Sequence, residues 1–190
     1  GIEILKRILD YDPKNQWARK EITECYRQLH KDHSHLDEYI RLSNLSQSWR
    51  NVHEAIEDFE KHISFDKGNF VCHRSWGVGI ISSIKGDEIT IDFARKRNHK
   101  MSLKMAVSSL MSLSKEHIWV LRTIWSKEKL RKMVKEDPKW ALKTVIRSHD
   151  NAANMKTIKS EIAPGILTQS EWSSWSTDRK STRLNSSHYS

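Results

Sequence analysis

Apolar residues recur at helical spacing from the start of the chain: Ile2, Ile4-Leu5 and Ile8-Leu9 fall on one face. Tyr11-Asp12-Pro13 interrupts the pattern, and Asp12 is expected to cap a second helix with Pro13 in its first turn. Trp17, Ala18, Ile22, Cys25-Tyr26 and Leu29 then give that helix its apolar stripe. His30 to Ser34 reads as a polar, solvated connector. Leu36, Tyr39-Ile40 and Leu42 to Leu45 predict a short third helix, and Val52, Ala55-Ile56, Phe59 and Ile63 a fourth. The paired helices, with the Asp-Pro-x-Asn joint before Trp17-Ala18, resemble tetratricopeptide hairpins; a plain αα-hairpin bundle fits the same pattern.

The period changes from 3.6 to 2 after residue 66. Phe70-Val71-Cys72 predicts a strand, and Gly77-Val78-Gly79 a tight bend leading into a second through Ile80-Ile81. Lys85 to Glu88 predicts a turn. Glu88 to Phe93 alternates polar and apolar as a half-buried strand does. Arg95 to Asn98 reads as a charged turn, His99 to Leu103 as a fourth strand, and Met105 to Leu113 as a helical turn and a last strand. Short strands joined by tight turns suggest a small SH3-like or Tudor-like β-barrel.

Helical spacing returns with Ile118, Val120-Leu121 and Ile124-Trp125, then Leu130 and Met133-Val134. Asp137-Pro138 starts a further helix carrying Trp140 to Leu142 and Val145-Ile146, and Met155, Ile158 and Ile162 follow. Pro164-Gly165 breaks the pattern before a last turn, capped by Thr168 or Ser170, that holds Trp172 and Trp175. From Asp178 the period is lost. Asp178 to His188 matches, residue for residue, one reading frame of a common sequencing-adapter oligonucleotide. Residues 178–190 are therefore expected to be a disordered read-through tail and are set aside. The chain opens on Gly1 with a helical pattern already running, which reads as a cut from a longer protein.

The fold class expected is α+β and mainly α. Its parts are helical hairpins over 1–66, a small barrel over 67–113, a helical bundle over 114–177, and the tail 178–190. No apolar run approaches the ~20 residues of a membrane span, and no signal segment opens the chain, which places it in the cytoplasm. Cys25 and Cys72 lie far apart and read as small buried hydrophobes in a reducing compartment.

Charge is unevenly spread. Residues 1–66 hold 10 Lys/Arg against 13 Asp/Glu, residues 67–113 hold 8 against 3, and residues 114–177 hold 12 against 7. The basic middle and back favour nucleic acid or an acidic protein patch as partner. Its densest cluster is Arg95-Lys96-Arg97 with His99, Lys100 and Lys104, where cations could neutralise phosphates and Phe93 could stack on bases. The same cluster also reads as a charged hairpin protecting a sheet edge.

Other motifs carry no chemistry. Gly77-Val78-Gly79 lacks the third glycine of a dinucleotide fingerprint. His30, His33 and His35 have no cysteine nearby and read as connector residues rather than a metal site. Asp87, Glu88 and Asp92 read as solvated acids. Most of the 8 tryptophans, Trp49, Trp76, Trp119, Trp125 and Trp140 among them, read as packing residues, and Trp172 and Trp175 as an exposed pair that has lost its partner surface. No catalytic constellation, cofactor motif or metal-ligand set is present, so no small-molecule substrate is expected and an enzyme is the least favoured class.

The run from Phe59, FEKHISFDKGNFVCHRSWGVG, together with GDEITIDFARKRNHKMSLKMAVSSLMSL, KEHIWVLRTIW and EWSSWS, resembles the N-terminal region of long, spirochaete-type Gre transcription elongation factors over residues 1–177. The middle segment separately resembles the Tudor-like and CarD-type modules that dock on RNA polymerase. Gre factors thread a coiled coil with acidic residues at its tip into the polymerase secondary channel, and no such hairpin is found in this sequence. The resemblance therefore implies an accessory, non-catalytic region that docks on RNA polymerase or its nucleic acid. Two other readings stay open: a stand-alone DNA- or RNA-binding module, and a tetratricopeptide-type protein scaffold working through residues 1–64.

Overall fold

Asn15 begins the second helix. In the computed structural model, which describes the backbone of residues 1–186 and the side chains of residues 1–178, helix α1 (Ile2–Tyr11) ends at Asp12 and helix α2 is Gln16–Leu29. The Asn15 side chain accepts from the Ala18 amide at 2.9 Å. Asp12 is not the cap: its carbonyl accepts from the Asn15 amide, which closes a turn around Pro13 and puts the α2 N-terminus one short step later. α2 packs on α1, and α3 (Leu36–Ser43) packs on α4 (Val52–Ile63), so this part is a pair of helical hairpins.

The connector His30–Ser34 is not simply solvated. The His33 ring turns inward, edge-on to Tyr39 at 5.3 Å. Its Nδ1 accepts from the His35 amide at 3.0 Å, so Nε2 carries the proton and donates to the Ile63 carbonyl at 3.1 Å. Burial holds the His33 pKa below its ordinary value, although Asp66 nearby pulls the other way. A neutral, doubly bonded imidazole packs better between α3 and α4 than a polar loop would, which is why composition misjudged it.

Four strands follow as an antiparallel meander, β1 (Phe70–His73), β2 (Gly77–Lys85), β3 (Glu88–Phe93) and β4 (Lys96–Ser102). Helix α5 (Leu103–Ser109) and strand β5 (Met111–Leu113) complete a sheet of order β4-β3-β2-β1-β5. The sheet is open, with β4 and the very short β5 at its edges; no ladder joins these edges into the expected barrel. One face is apolar. Val71, Ile81, Ile89, Ile91 and Phe93 bury themselves there with Leu103, Ala106 and Val107 of α5, in one continuous core with Tyr39, Phe59 and Phe65 of the helical hairpins. Each such large side chain contributes about 1.5–3 kcal/mol by leaving water. Residues 1–112 accordingly form one compact unit, and residues 113–190 a second.

The second unit is all helical: α6 (Ile118–Ile124), α7 (Lys127–Glu136), α8 (Pro138–Ser148), α9 (Met155–Ile162) and α10 (Gln169–Ser186). Asp137 caps α8 and Pro138 occupies its first turn, as the sequence indicated. α9 is tied to α6 by Glu161, a nearly buried carboxylate. It accepts from the Trp119 indole at 3.1 Å, lies 3.2 Å from His149 Nε2 and pairs with Arg122 at 3.4 Å. Trp172 and Trp175 are not an exposed pair. They are 7% and 8% exposed, and the Trp175 indole donates to the Val134 carbonyl at 3.1 Å. Trp49, in contrast, is 71% exposed in the α3–α4 loop and is no core residue. α10 continues into the segment set aside as a tail; the side chains beyond Asp178 and the backbone of residues 187–190 lie outside the described residues.

The start of α10 carries a reciprocal cap. The Glu171 amide donates to Thr168 Oγ1 at 3.2 Å, and the Thr168 amide donates to Glu171 Oε1 at 3.1 Å. Glu171 also pairs with Lys135 and, at 2.6 Å, with Arg131 of α7. The bond from Lys135 and that from the Thr168 amide hold its pKa down to about 2. A carboxylate depressed in the folded state stabilises it fully above its unfolded pKa, and that contribution disappears as pH falls toward the folded value. Glu171→Gln should therefore lower the urea midpoint of the second unit at pH 7, and the difference from the parent should close between about pH 4.5 and pH 2. A difference that persists unchanged at pH 2 would show that charge plays no part in this cap.

A basic and aromatic end of the sheet as candidate contact site

Antiparallel pairing brings two turns to one end of the sheet. The β1–β2 turn, Arg74 to Trp76, follows the pair His73↔Gly77, and the β3–β4 turn, Ala94-Arg95, follows Phe93. Because Gly79 pairs with Phe93, both turns project from the same edge of the ladder. The Arg74–Trp76 turn is held from within. His73 Nδ1 accepts from the Ser75 amide at 2.9 Å and the Trp76 amide at 3.2 Å. The His73 ring then stacks on the Trp76 indole at 4.0 Å, 15° from parallel. Gly77, at φ +71°, lets the chain leave this turn into β2. Phe93, at 5.5 Å, and His99, edge-on at 4.7 Å, complete the support of Trp76.

β4 begins at Lys96, not His99, because a bulge carries the strand through the predicted turn. Ile91 pairs with His99 and Phe93 with Lys96, so Arg97 and Asn98 together oppose Asp92. Asn98 takes the left-handed conformation, φ 50°, and its amide donates to Asp92 Oδ1 at 2.8 Å. The extra residue reverses the alternation beyond it. Lys96 consequently faces the same side as His99, with its Nζ 5.2 Å from the centre of the Trp76 ring. Asp92, expected to be a solvated acid, is the residue that closes the bulge.

The structure brings Arg95, Lys96, Arg97 and His99 together and separates Lys100 and Lys104 from them. Arg95 and Arg97 are exposed and have no carboxylate partner among the described residues. His99 serves as an aromatic prop rather than a cation: burial, then the neighbouring Lys96 and His73, lower its pKa. Lys100 lies 4.0 Å from Glu88 across the ladder. Lys104 sits in α5, past the far end of β4, where Ser102 pairs with Glu88. Arg74, exposed beside Trp76, belongs to the cluster and was missed by sequence reading, as was the role of Trp76. The arrangement is a flat aromatic platform, rigidly propped, ringed by four cationic side chains. It can stack on a planar group and neutralise anions around it; it holds no nucleophile with a base beside it.

Comparison with known proteins agrees with the sequence resemblance. Over 176 residues, 93% of its length, the chain is 56% identical to a protein of Treponema pallidum (strain Nichols) named for GreA-associated domains. Over 188 residues it is 40% identical to a protein of Borreliella burgdorferi named transcription elongation factor GreA. The resemblance to long spirochaete Gre-type proteins holds. The chain spans 27% and 21% of the lengths of these two Gre relatives. The family described as the GRAD helix-turn-helix domain matches residues 119–189, which covers most of the second unit. No solved structure matches the chain. The sheet end lies within the stretch aligned with the Borreliella protein and outside the GRAD match.

Cys25 and Cys72 are free and half-buried, and burial raises the Cys72 thiol pKa. Among the described residues no helix is long and apolar enough to cross a membrane.

Proposed function

We propose that this chain is a non-enzymatic accessory region of a Gre-type transcription elongation factor, which docks on RNA polymerase in the cytoplasm through the basic, aromatic end of its sheet. The observation that carries the reading is Trp76, fixed by His73, Phe93 and His99 and flanked by Arg74, Arg95, Lys96 and Arg97. A propped indole among cations without internal partners is the composition of an interface anchor rather than of a solvated turn. The similarity to a GreA protein supplies the partner. The open sheet, covered on one face by α5, is in keeping with a Tudor-like or CarD-type docking module, and β4 offers a free edge beside the anchor for strand addition. The helical hairpins are read as its tetratricopeptide-like support.

Arg74→Glu, Arg95→Glu and Arg97→Glu in one variant should reduce retention of bacterial core RNA polymerase by the chain at least tenfold, about 1.4 kcal/mol or more, without lowering the thermal midpoint. Undiminished retention would move the contact away from the sheet end. A second reading rests on the same cations: binding to single-stranded nucleic acid, in which neutralising about four phosphates gives a salt slope near −3. Loss of polymerase retention together with such a slope for RNA would favour it.

A further inference from the structure

We propose that the second unit contains a nucleotide-binding pocket between α8 and the segment from Ser114 to Trp125, separate from the sheet end. The cavity measures about 440 Å³, within the ~300–1,000 Å³ usual for sites that enclose a small ligand. Its walls are Trp125 and Trp140, whose rings lie 15° from parallel with centroids 5.6 Å apart. Leu121 adds apolar surface, and Lys143 and Arg147 stand on the wall contributed by α8.

The spacing along α8 is what turns this cavity into a site. Trp140, Lys143, Thr144 and Arg147 fall at i, i+3, i+4 and i+7, so a single stripe of the helix presents an aromatic plane and then two cations one turn apart. Neither Lys143 nor Arg147 has an ion-pair partner among the described residues, although the unit contains Glu136, Asp137, Asp150 and Glu161 nearby in sequence. Lys129, by contrast, is engaged over the Trp125 ring at 4.1 Å. Trp125 is therefore positioned by its own unit, with Lys129 in contact with the ring and Trp140 stacked beside it.

Flat parallel aromatic walls select a planar π system, and two unpaired cations beyond them select an anion attached to it. A nucleotide has both, and base–aromatic stacking combined with phosphate neutralisation is how single nucleotides are commonly gripped. Glu116 supplies the one carboxylate of the lining, an acceptor suited to an exocyclic amine or a ribose hydroxyl. His117 is a wall rather than a ligand. Its Nδ1 accepts from the Trp119 amide at 3.1 Å, and burial lowers its pKa, so it brings no charge. The ligand is thus a nucleoside phosphate, either free or as one residue of a single strand. This goes beyond the docking reading, which concerns other residues in the other unit.

The test titrates the full chain with AMP and, separately, with a short oligo(rA), following the tryptophan indole signals by NMR. Shifts confined to the Trp125 and Trp140 indoles with both ligands are expected for a free-nucleotide site, and shifts with the oligonucleotide alone for a nucleotide held within a strand. In either case Lys143→Glu with Arg147→Glu should weaken binding about tenfold or more. Trp140→Leu should do the same; because Trp140 also packs in the core, the exposed double charge reversal is the deciding variant. Arg95→Glu with Arg97→Glu should leave these shifts intact, even if it abolishes polymerase retention. No indole shift with either ligand, unchanged affinity after the α8 charge reversal, or equal displacement by a polyglutamate peptide would overturn the proposal.

Discussion

Gly79→Ala is expected to destabilise the first unit by about 3 kcal/mol, the upper end for overpacking a filled interior. A Cβ at this position would sit 2.6 Å from Cδ1 and Cε1 of Phe93 and 2.8 Å from Cγ2 of Ile91. Both neighbours are fully buried, so neither can swing aside into solvent. The sign runs against propensity. Glycine in a strand interior is worth about 0.5–1 kcal/mol less than alanine, and at an open strand position the same change would stabilise. Here Phe93 lies across the bare backbone of β2 and covers it, which is the packing that aromatic side chains provide for strand glycines. Urea unfolding of the variant reads the loss directly, and Phe93→Leu in the Gly79→Ala background should restore part of it. Because Phe93 also props Trp76 and His99, the near-ultraviolet signal of the indole should change before the global transition, and polymerase retention should fall with it. A midpoint equal to that of the parent would mean that the Phe93 ring can move, and that the sheet end is a loose surface rather than a preformed anchor.

The same glycine marks the limit of what the sequence conveyed. Gly77-Val78-Gly79 announces a bend before β2, and Gly77 supplies it with its positive φ. That Gly79 is there for Phe93, fourteen residues on, depends on the register of β2 against β3, which no local pattern states. The helices were legible where one apolar face repeats over several turns, as in α1, α4 and α8. They were also legible at termini with a chemical signature, such as Asp137-Pro138 and the Thr168–Glu171 pair. β4 was misplaced because Lys-Arg-Asn-His-Lys has no apolar alternation to follow, and the bulge that organises it is closed by Asp92 from another strand.

The candidate site divides along the same line. Arg95, Lys96, Arg97 and His99 stand together in sequence and were visible as a cluster. Arg74 and Trp76 belong to a different hairpin and join them only through the sheet. Lys100 and Lys104 were included by proximity along the chain, but a strand carries its residues about 3.3 Å apart in a line, so the cluster is drawn out and its far end leaves the site. The Trp125–Trp140 pair shows the same thing in the second unit: two ordinary helix-packing aromatics become parallel walls only once α6, α7 and α8 are folded against one another.

Arg19→Met should cost the helical hairpins about 2–4 kcal/mol, although the side chain makes no salt bridge. The guanidinium is 4% exposed and is held by backbone oxygens alone: Nε donates to Leu45 at 2.9 Å, Nη1 to Arg50 at 2.7 Å and Nη2 to Asn44 at 3.3 Å. Burial, and then the nearby Arg50, lower its pKa. These carbonyls lie at and beyond the C-terminus of α3, where Asn44 takes the left-handed conformation and the helix presents its negative end. A buried cation there is stabilised by a dipole rather than by an opposite charge. Removing it strands carbonyls that have few other donors in reach, at about 1–3 kcal/mol for each that stays buried. Methionine preserves most of the stem's packing, so the loss reports the polar head. Lysine offers three donors from one compact centre instead of a planar fork and should recover less than half of it. The effect should be local before it is global. Amide exchange over residues 44–51 and proteolysis after Arg50 should accelerate in Arg19→Met while the sheet stays protected. If stability is lost uniformly, with no early opening of this loop, Arg19 is a general core element and not the clamp that joins α2 to the α3–α4 connection.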